Sequence, residues 1–251
     1  MPISPDSIER QSATNTLLFN AMVAVEEVRV TQDKLGSFPA TLYQRIKPDA
    51  LSLTHQAYET MAVVYDREAA RFWRRFPLGF IENYRNHLPP NGRVLNVGSG
   101  PGWDSKLLSL TGLEVICLDA CVSMTRLTSE RGFTTVQGDF RRLPFSRGVF
   151  DGAWAYTSLI HVPKTEFVQT LAEIGETLVS GGILGMGMLR GSSEHFSTSY
   201  GMGNPRFIAY YTKPELMNAL IFAGFEVVHY EKMQRVGTKS GRYHNIIARR
   251  V

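Results

Sequence analysis

Residues 94–102 have the sequence VLNVGSGPG, and Trp103 and Asp104 follow at once. A run that suits a buried strand therefore leads directly into a turn with three glycines. Glycine allows a sharp backbone turn and the close approach of a ligand. In open α/β sheets such a turn lies at the carboxyl end of a central strand, where ligands bind. We expect this stretch to define both the fold and the site.

Downstream of the turn, short strand-like runs alternate with helical segments, which is typical of a parallel sheet with helices on both faces. Two runs near the end of the chain lack a helix between them, so they must pair antiparallel. The predicted strands are 93–97, 114–118, 134–137, 150–155, 183–188, 225–230 and 243–249, and the predicted helices are 103–111, 122–130, 164–178 and 213–223.

Helical patterns at about 14–34, 54–76 and 78–88 precede the sheet, and we predict an N-terminal helical extension or lid at 1–56 before a main domain at 57–251. The chain has 251 residues, enough for one large α/β domain with a small cap. No charged segment followed by an apolar run opens it, so a cytoplasmic protein without membrane association is expected. Cys117 and Cys121 are expected to be core residues, and no metal site is predicted.

The formal net charge of +4 is scattered over short Arg and Lys pairs. A nucleic-acid-binding protein usually concentrates its basic residues in one stripe with interleaved aromatic residues. Nucleic acid is therefore an improbable partner, and the pairs are better explained as solvated helix faces.

The glycine turn suits two cofactor classes. Dinucleotide enzymes use G-x-G-x-x-G, whose third glycine lets the helix pack closely on the strand. Counted from Gly98, that third position holds Trp103, which disfavours a dinucleotide. The G-x-G-x-G pattern instead resembles motif I of class I methyltransferases that depend on S-adenosylmethionine (SAM). The resemblance spans roughly residues 58–249 and implies a Rossmann-like sheet of seven mostly parallel strands with a C-terminal antiparallel hairpin.

Two acids follow the turn. Asp119 ends the second predicted strand, where a carboxylate can accept hydrogen bonds from both hydroxyls of a ribose. A simple helix cap is the alternative for this residue. The stretch from Gly138 to Phe145 resembles the family's G-D-x-x-x-L-P-F motif, which implies that Asp139 accepts from the adenine amino group and that Phe140 lies near the ring.

The loop after the fourth strand resembles the segment that lines both cofactor and acceptor in small-molecule methyltransferases. His161 in this loop is a candidate general base, with a purely orienting role as the alternative. One departure from the family is Asn96, where an acid is usual, so the charge contribution to the SAM ammonium is lost. The resemblance implies the following cofactor-binding set: Tyr58, Tyr65, Asn96, Gly98, Ser99, Gly100, Gly102, Asp119, Ala120, Met124, Asp139, Phe140, Tyr156 and Ser158.

The acceptor is expected to lie under the first 60 residues and a variable lid at about 189–211. Aromatic residues and one arginine in that lid suit an apolar, aromatic or anionic small molecule. The candidate acceptor-binding residues are Tyr200, Arg206, Tyr210 and Tyr211.

The resemblance implies transfer of a methyl group from SAM to a small-molecule acceptor, with the methylated atom (O, N or C) left open. Methylation of RNA or protein is one alternative, and a protein that binds SAM without transferring a methyl group is another. The sequence leaves a homodimer open.

Overall fold

A computed structural model of the chain describes residues 50–198, 204–234 and 242–251. The predicted helix at 14–34 and almost all of the predicted extension at 1–56 lie outside these residues. Helix α1 (Ala50–Trp73) crosses the predicted boundary between residues 56 and 57, and the division of the chain there stays a prediction.

The described elements after α1 alternate between helices and strands for most of their length. In chain order they are α2 (Leu78–Asn86), β1 (Arg93–Val97), α3 (Trp103–Ser109), β2 (Glu114–Asp119), α4 (Val122–Glu130), β3 (Thr134–Gln137), β4 (Phe150–Tyr156), a 3₁₀ turn (Leu159–His161), α5 (Lys164–Thr177), β5 (Leu178–Leu189), β6 (Glu194–Ser197), β7 (Arg206–Ala209), α6 (Lys213–Phe222), β8 (Phe225–Gln234) and β9 (Arg242–Arg250).

Seven of these strands form one sheet in the order β3-β2-β1-β4-β5-β9-β8. The pairs among β1 to β5 are parallel, whereas β9 pairs antiparallel with both β5 and β8. The prediction of a mostly parallel seven-stranded sheet with a C-terminal antiparallel hairpin is confirmed. The carboxyl ends of the parallel strands meet at one edge, as expected of ligand sites in such sheets.

The central position of β1 follows from its sequence. It pairs with β2 on one side and β4 on the other, and Val94 to Val97 are all buried. Strands covered by helices on both faces need this continuous apolar character. At the other end of the sheet, α6 begins with a capping box in which Thr212 and Glu215 exchange hydrogen bonds with each other's backbone.

Two features differ from the predictions. Strand β5 begins at Leu178 instead of 183, and its pairing with β4 shifts register between Phe150 and Gly152. Strands β6 and β7 form a separate antiparallel pair inside the predicted lid. Both strands have only four residues and no alternating pattern, so periodicity could not reveal them.

None of the helices in the described ranges is long and apolar enough to cross a membrane.

Candidate active site

One pocket lies at the carboxyl edge of the parallel strands, with about 530 Å³ of empty space. Five parts of the chain build it: helix α1, the glycine turn after β1, the end of β2 with the start of α4, the loop after β3, and the loop after β4. The lining residues are Leu51, Thr54, His55, Tyr58, Tyr65, Gly98, Gly100, Asp119, Ala120, Cys121, Met124, Phe140, Tyr156, Thr157, Ser158 and His161.

The glycine turn is held against β2 by its own backbone. The amides of Gly98 and Ser99 both donate to the Leu118 carbonyl, at 2.8 and 2.9 Å. Gly98 has φ +67°, and a Cβ atom there would lie 2.5 Å from Cβ of Ser158. Because only glycine tolerates both the left-handed backbone and this contact, the turn can lie directly against the β4 loop.

Asp119 is tied to the same turn by both of its carboxylate oxygens. Oδ2 accepts from the Gly100 amide at 2.8 Å, and Oδ1 accepts from the Cys121 amide at 2.9 Å. Burial raises the pKa of Asp119, against the lowering effect of these two hydrogen bonds. Each oxygen keeps a further lone pair, so the carboxylate can still accept from a diol that enters the pocket.

The second predicted acid, Asp139, does not line the pocket. Its carboxylate is paired with Arg141, with Nη2 and Oδ2 2.7 Å apart. Although partial burial raises the pKa of Asp139, the hydrogen bonds and charge of Arg141 outweigh it and the pKa is lowered. Its neighbour Phe140 is buried and does line the pocket.

Three other predicted cofactor residues lie behind the pocket wall. Asn96 and Ser99 are buried, and Gly102, with φ +81°, precedes the first residue of α3. The Oδ1 atom of Asn96 and the hydroxyl of Ser99 are buried without a hydrogen-bond partner. These residues support the turn from behind and contribute nothing to the pocket surface.

Helix α1 forms a roof over the pocket. Leu51, Thr54, His55 and Tyr58 line it at the spacing i, i+3, i+4, i+7 of one helix face. The helix is kinked at Met61. Beyond the kink, the ring of Tyr65 lies next to Gly100.

Two carboxylates fasten this roof to both ends of α4. Glu59 accepts from the amides of Val122 and Ser123 at the start of α4. Two turns along α1, Asp66 pairs with Arg131 at 2.7 Å, just past the last residue of α4. An acid at the helix start and a base at its end match the helix dipole.

Trp103, which disfavoured a dinucleotide, has a structural role at the same place. Its indole N–H donates to Asp66 at 2.7 Å, and the guanidinium of Arg131 lies 4.5 Å from its ring centroid. The tryptophan thus links α3 to the roof.

A hydrogen-bond chain crosses the other end of the pocket. Nδ1 of His161 lies 2.6 Å from the Phe207 carbonyl, and Nε2 lies 2.9 Å from the Tyr58 hydroxyl. A carbonyl only accepts, so Nδ1 carries the proton and Nε2 accepts from Tyr58. Arg206 in turn donates to the Tyr58 oxygen at 2.9 Å.

This arrangement keeps His161 neutral. Burial lowers its pKa to about 3, while the Phe207 hydrogen bond acts in the opposite direction and the charge of Arg206 adds to the lowering. Burial also raises the pKa of Tyr58, in spite of Arg206. Near neutral pH these three hydrogen-bonded side chains therefore carry one positive charge, on Arg206, while His161 and Tyr58 are uncharged.

The loop after β4 supplies a free hydroxyl and a strained backbone. Ser158 lines the pocket, and its buried hydroxyl has no hydrogen-bond partner. Thr157 has φ +58°, an uncommon conformation for a β-branched residue. Tyr156 also lines the pocket, and its hydroxyl donates to Asn245 at 2.7 Å.

The predicted acceptor-binding residues are dispersed. Arg206 reaches the pocket through Tyr58, whereas Tyr210 stacks on His195 and Tyr211 packs against Phe167, both away from the lining residues. Tyr200 lies outside the described residues.

Several lining residues were missed by the sequence analysis: Leu51, Thr54, His55, Cys121 and Thr157. The helical spacing of the first three with Tyr58 was a usable signal. Cys121 and Thr157 directly follow predicted site segments, but nothing in their residue types marks them.

Comparison with known proteins fits this geometry. A family model described as a methyltransferase domain matches residues 94–182, from β1 into β5. A sterol 24-C-methyltransferase, ERG6B from Gibberella zeae, is 32% identical over 157 residues, which are 54% of this chain and 41% of that protein. A demethylmenaquinone methyltransferase from Mycolicibacterium gilvum is 29% identical, over 51% of this chain and 53% of the relative.

Among solved structures, the 1,6-didemethyltoxoflavin-N1-methyltransferase of Burkholderia thailandensis superposes with a TM-score of 0.60 at 22% identity. The match covers 86% of this chain and 92% of that one, and it supports the shared fold. Residues 94–182 of this chain thus match a methyltransferase domain, and the chain has the fold of a solved methyltransferase. The chain spans about half or less of the length of the curated relatives named above.

The pocket residues fit SAM, the cofactor expected from the sequence. The left-handed Gly98 leaves no room for a side chain, which keeps the turn open to a ligand. Asp119 retains acceptor capacity for a ribose. The unpartnered Ser158 hydroxyl offers a hydrogen bond to a polar group, and Phe140 and Met124 offer apolar surface. A polar half and an apolar half within one pocket suit a molecule that carries both an amino acid and a base.

Proposed function

We propose that this chain transfers a methyl group from SAM to a small-molecule acceptor and releases S-adenosylhomocysteine (SAH). The observation that carries the proposal is that a single pocket is lined both by Gly98, Gly100 and Asp119 and by Tyr58 and His161. Cofactor and acceptor would thus meet under one roof. The small-molecule substrates named in the relatives, a sterol, a menaquinone precursor and a toxoflavin precursor, support an acceptor of this class.

When bound, SAM supplies an activated methyl group, so the chain's residues need only orient the two partners and exclude water. Gly98 and Gly100 bring the backbone close to the cofactor, and Asp119 and Ser158 hold its polar groups. Helix α1 covers the reacting centre and is fastened by Glu59 and Asp66.

His161 is the candidate base of this proposal, and its contacts limit how it could act. Its Nε2 already accepts from Tyr58, so that hydroxyl must move before Nε2 takes a proton from an acceptor. An acceptor that attacks without first losing a proton would use the pair only for orientation.

Incubation with SAM labelled in the methyl group, and with a library of small neutral and anionic acceptors, tests the function. Label in a small molecule supports the proposal. Label in tRNA or protein, or SAH binding without any transfer, would refute it in favour of the alternatives named above.

Two variants then separate the roles of His161. If His161 is the base, His161→Ala slows turnover by about a hundredfold, while Tyr58→Phe leaves most activity. If the two residues orient the acceptor together, both variants lose a similar factor and the double variant loses little more. SAH affinity, which depends on the turn, is the control for intact folding.

A further inference from the structure

A carboxyl group lies buried directly behind the glycine turn. Asp104 is only 4% exposed and stands in the first turn of α3, two residues after Gly102. Oδ1 accepts from the Ser105 amide at 2.9 Å. No basic side chain in the described part of the chain comes within ion-pair distance of it. A buried carboxylate without a countercharge is costly, so its position calls for an explanation.

The surroundings of Asp104 favour negative charge without cancelling it. The Ser105 backbone amide and the side-chain amide of Asn96 both favour its ionised form. Asn96 also donates to the Ser105 hydroxyl at 2.7 Å, which fixes the amide in place. All of these groups are neutral, so the full negative charge is left for a partner outside the cluster.

The same cluster holds acceptor atoms that nothing satisfies. Oδ1 of Asn96 and the hydroxyl of Ser99 are buried without a partner. The charge of Asp104 also reaches the pocket wall, because it contributes to raising the pKa of Tyr65, which lines the pocket. An unpaired carboxylate and free acceptor atoms, all buried behind the turn, together favour a positive charge on the pocket side of the turn.

We propose that Asp104, oriented by Asn96, supplies the negative charge that holds the ammonium end of bound SAM or SAH through the glycine turn. Asp104 thus acts as a positioning residue for the cofactor and not as a group that touches the reacting atoms. The inference deepens the proposed function and rests only on its cofactor-binding part. It also explains why strand β1 can carry Asn96: the charge comes from the following helix.

The protonation of Asp104 gives the proposal a measurable consequence. Burial raises the pKa of Asp104 to about 7, in spite of the hydrogen bond from the Ser105 amide and the lowering effect of the Asn96 amide. A bound ammonium would favour the ionised form, so SAH affinity should rise with pH up to about 7 and fall below it. The titratable groups that interact electrostatically with Asp104 are Tyr65 on α1 and Cys117 on β2, and burial raises the pKa of both. They stay neutral below pH 8.

Calorimetry with two probes isolates this effect. SAH carries the ammonium group, whereas 5′-methylthioadenosine keeps the base and the ribose but lacks the amino acid. We expect SAH to bind about tenfold more weakly at pH 6.0 than at pH 7.5. Methylthioadenosine should change much less, and any titration of Asp119 at the ribose would appear with both probes.

Variants confirm the source of the effect. Asp104→Asn should bind SAH about tenfold more weakly than the wild-type chain at pH 7.5, with no pH dependence, and should melt no lower. A purely structural residue would lower the melting temperature instead. The double variant Asn96→Asp with Asp104→Asn returns a carboxylate to the strand and should recover SAH affinity.

Equal pH profiles for SAH and methylthioadenosine in the wild-type chain would overturn the proposal, even if Asp104→Asn failed to fold. Unchanged SAH affinity in a folded Asp104→Asn variant would do the same. Failure to bind SAH at any pH would count against the proposed function itself.

Discussion

The pocket has two sides that are built differently. The turn side consists of residues 96–104 and Asp119, and the roof side consists of α1 with His161 and strand β7. On the turn side, backbone amides of Gly98, Ser99 and Gly100 make the contacts. On the roof side, side chains from distant segments meet, as Tyr58 and His161 do across 103 residues. The turn side can thus be specified by a short local sequence, whereas the roof side exists only once the chain has folded.

This difference predicts where a single methyl group does most harm. Gly98→Ala would place a Cβ atom 2.5 Å from Ser158 in a left-handed backbone. The strain costs about 1–2 kcal/mol and the overlap about 1–3 kcal/mol, and relieving them moves the turn, so we expect SAH affinity to fall by about thirtyfold to several thousandfold. Calorimetric titration with SAH measures this loss.

Gly181→Ala is the matched control for that variant. Gly181 has φ +75°, but a Cβ atom there would meet no other atom within 4 Å, so only the backbone strain remains. Its melting temperature should fall slightly, with SAH affinity unchanged. Similar SAH affinities for the two variants would show that the turn does not depend on close packing.

The next effect concerns the acid of the turn side. Asp119→Asn removes one acceptor oxygen from a group that holds the Gly100 and Cys121 amides. We expect SAH binding to weaken by about 1–3 kcal/mol, the effect of a lost charge-assisted hydrogen bond. The control is Asp151→Asn, because Asp151 also accepts a backbone amide, that of Arg93 at 2.8 Å, but at the start of β4. An equal loss in both variants would contradict the ribose assignment.

The same contrast explains what the sequence revealed. The parallel direction of the first five strands and the antiparallel pairing of the last two follow from local patterns, because each depends on whether a helix or a turn connects neighbouring strand runs. Asp119 could be assigned because a strand end and an acid coincide. Helix, strand and turn signals of this kind can be recognised without knowledge of the tertiary structure.

The remaining parts of the site depend on tertiary contacts, which the sequence does not show. Arg206 meets Tyr58 across 148 residues, and Phe207 meets Thr54 across 153, so no spacing rule connects them. Asp104 resembles an ordinary acid in the first turn of an exposed helix, and only the packing of α3 shows that it is buried. The adenine role predicted for Asp139 stays a prediction: its carboxylate pairs with Arg141 and does not line the pocket.

A third prediction concerns the pH dependence of stability, to which Asp104 on the turn side and His161 on the roof side contribute in opposite directions. Asp104 has a raised pKa of about 7, so its contribution to stability grows as pH falls from 7 towards 4. His161 has a lowered pKa of about 3, so its contribution is full above pH 6.5 and declines as pH falls. Between pH 6.5 and 5.0 the two slopes, each about 1.4 kcal/mol per pH unit at most, oppose each other.

Single variants should expose these slopes. From pH 6.5 to 5.0, Asp104→Asn should lose up to about 2 kcal/mol more unfolding free energy than the wild-type chain, and His161→Gln should lose up to about 2 kcal/mol less. Urea unfolding at the two pH values measures both. If both variants lost more unfolding free energy than the wild-type chain between the two pH values, or both lost less, one of the two groups would not titrate as its burial implies.

The smallest effect tests whether the roof can be loosened without disturbing the turn. The Thr54 hydroxyl accepts from the buried Phe207 amide at 3.0 Å and donates to the Ala50 carbonyl at 2.8 Å. Thr54→Val leaves that amide unsatisfied, so we expect a loss of about 1–2 kcal/mol in unfolding free energy. SAH affinity should change less than about threefold, since the turn is held by separate contacts.

Thr60→Val isolates the part of this loss that comes from the roof contact. Thr60 lies on the same helix and donates to the Gln56 carbonyl at 2.8 Å, but its hydroxyl is exposed. The two substitutions change helix propensity equally, and of the two threonines only Thr54 bonds to β7. We expect Thr60→Val to lie within about 0.5 kcal/mol of the wild-type chain. A large fall in SAH affinity for Thr54→Val alone would show that roof and turn form one cooperative unit, and the division between locally and globally specified sides would then be wrong.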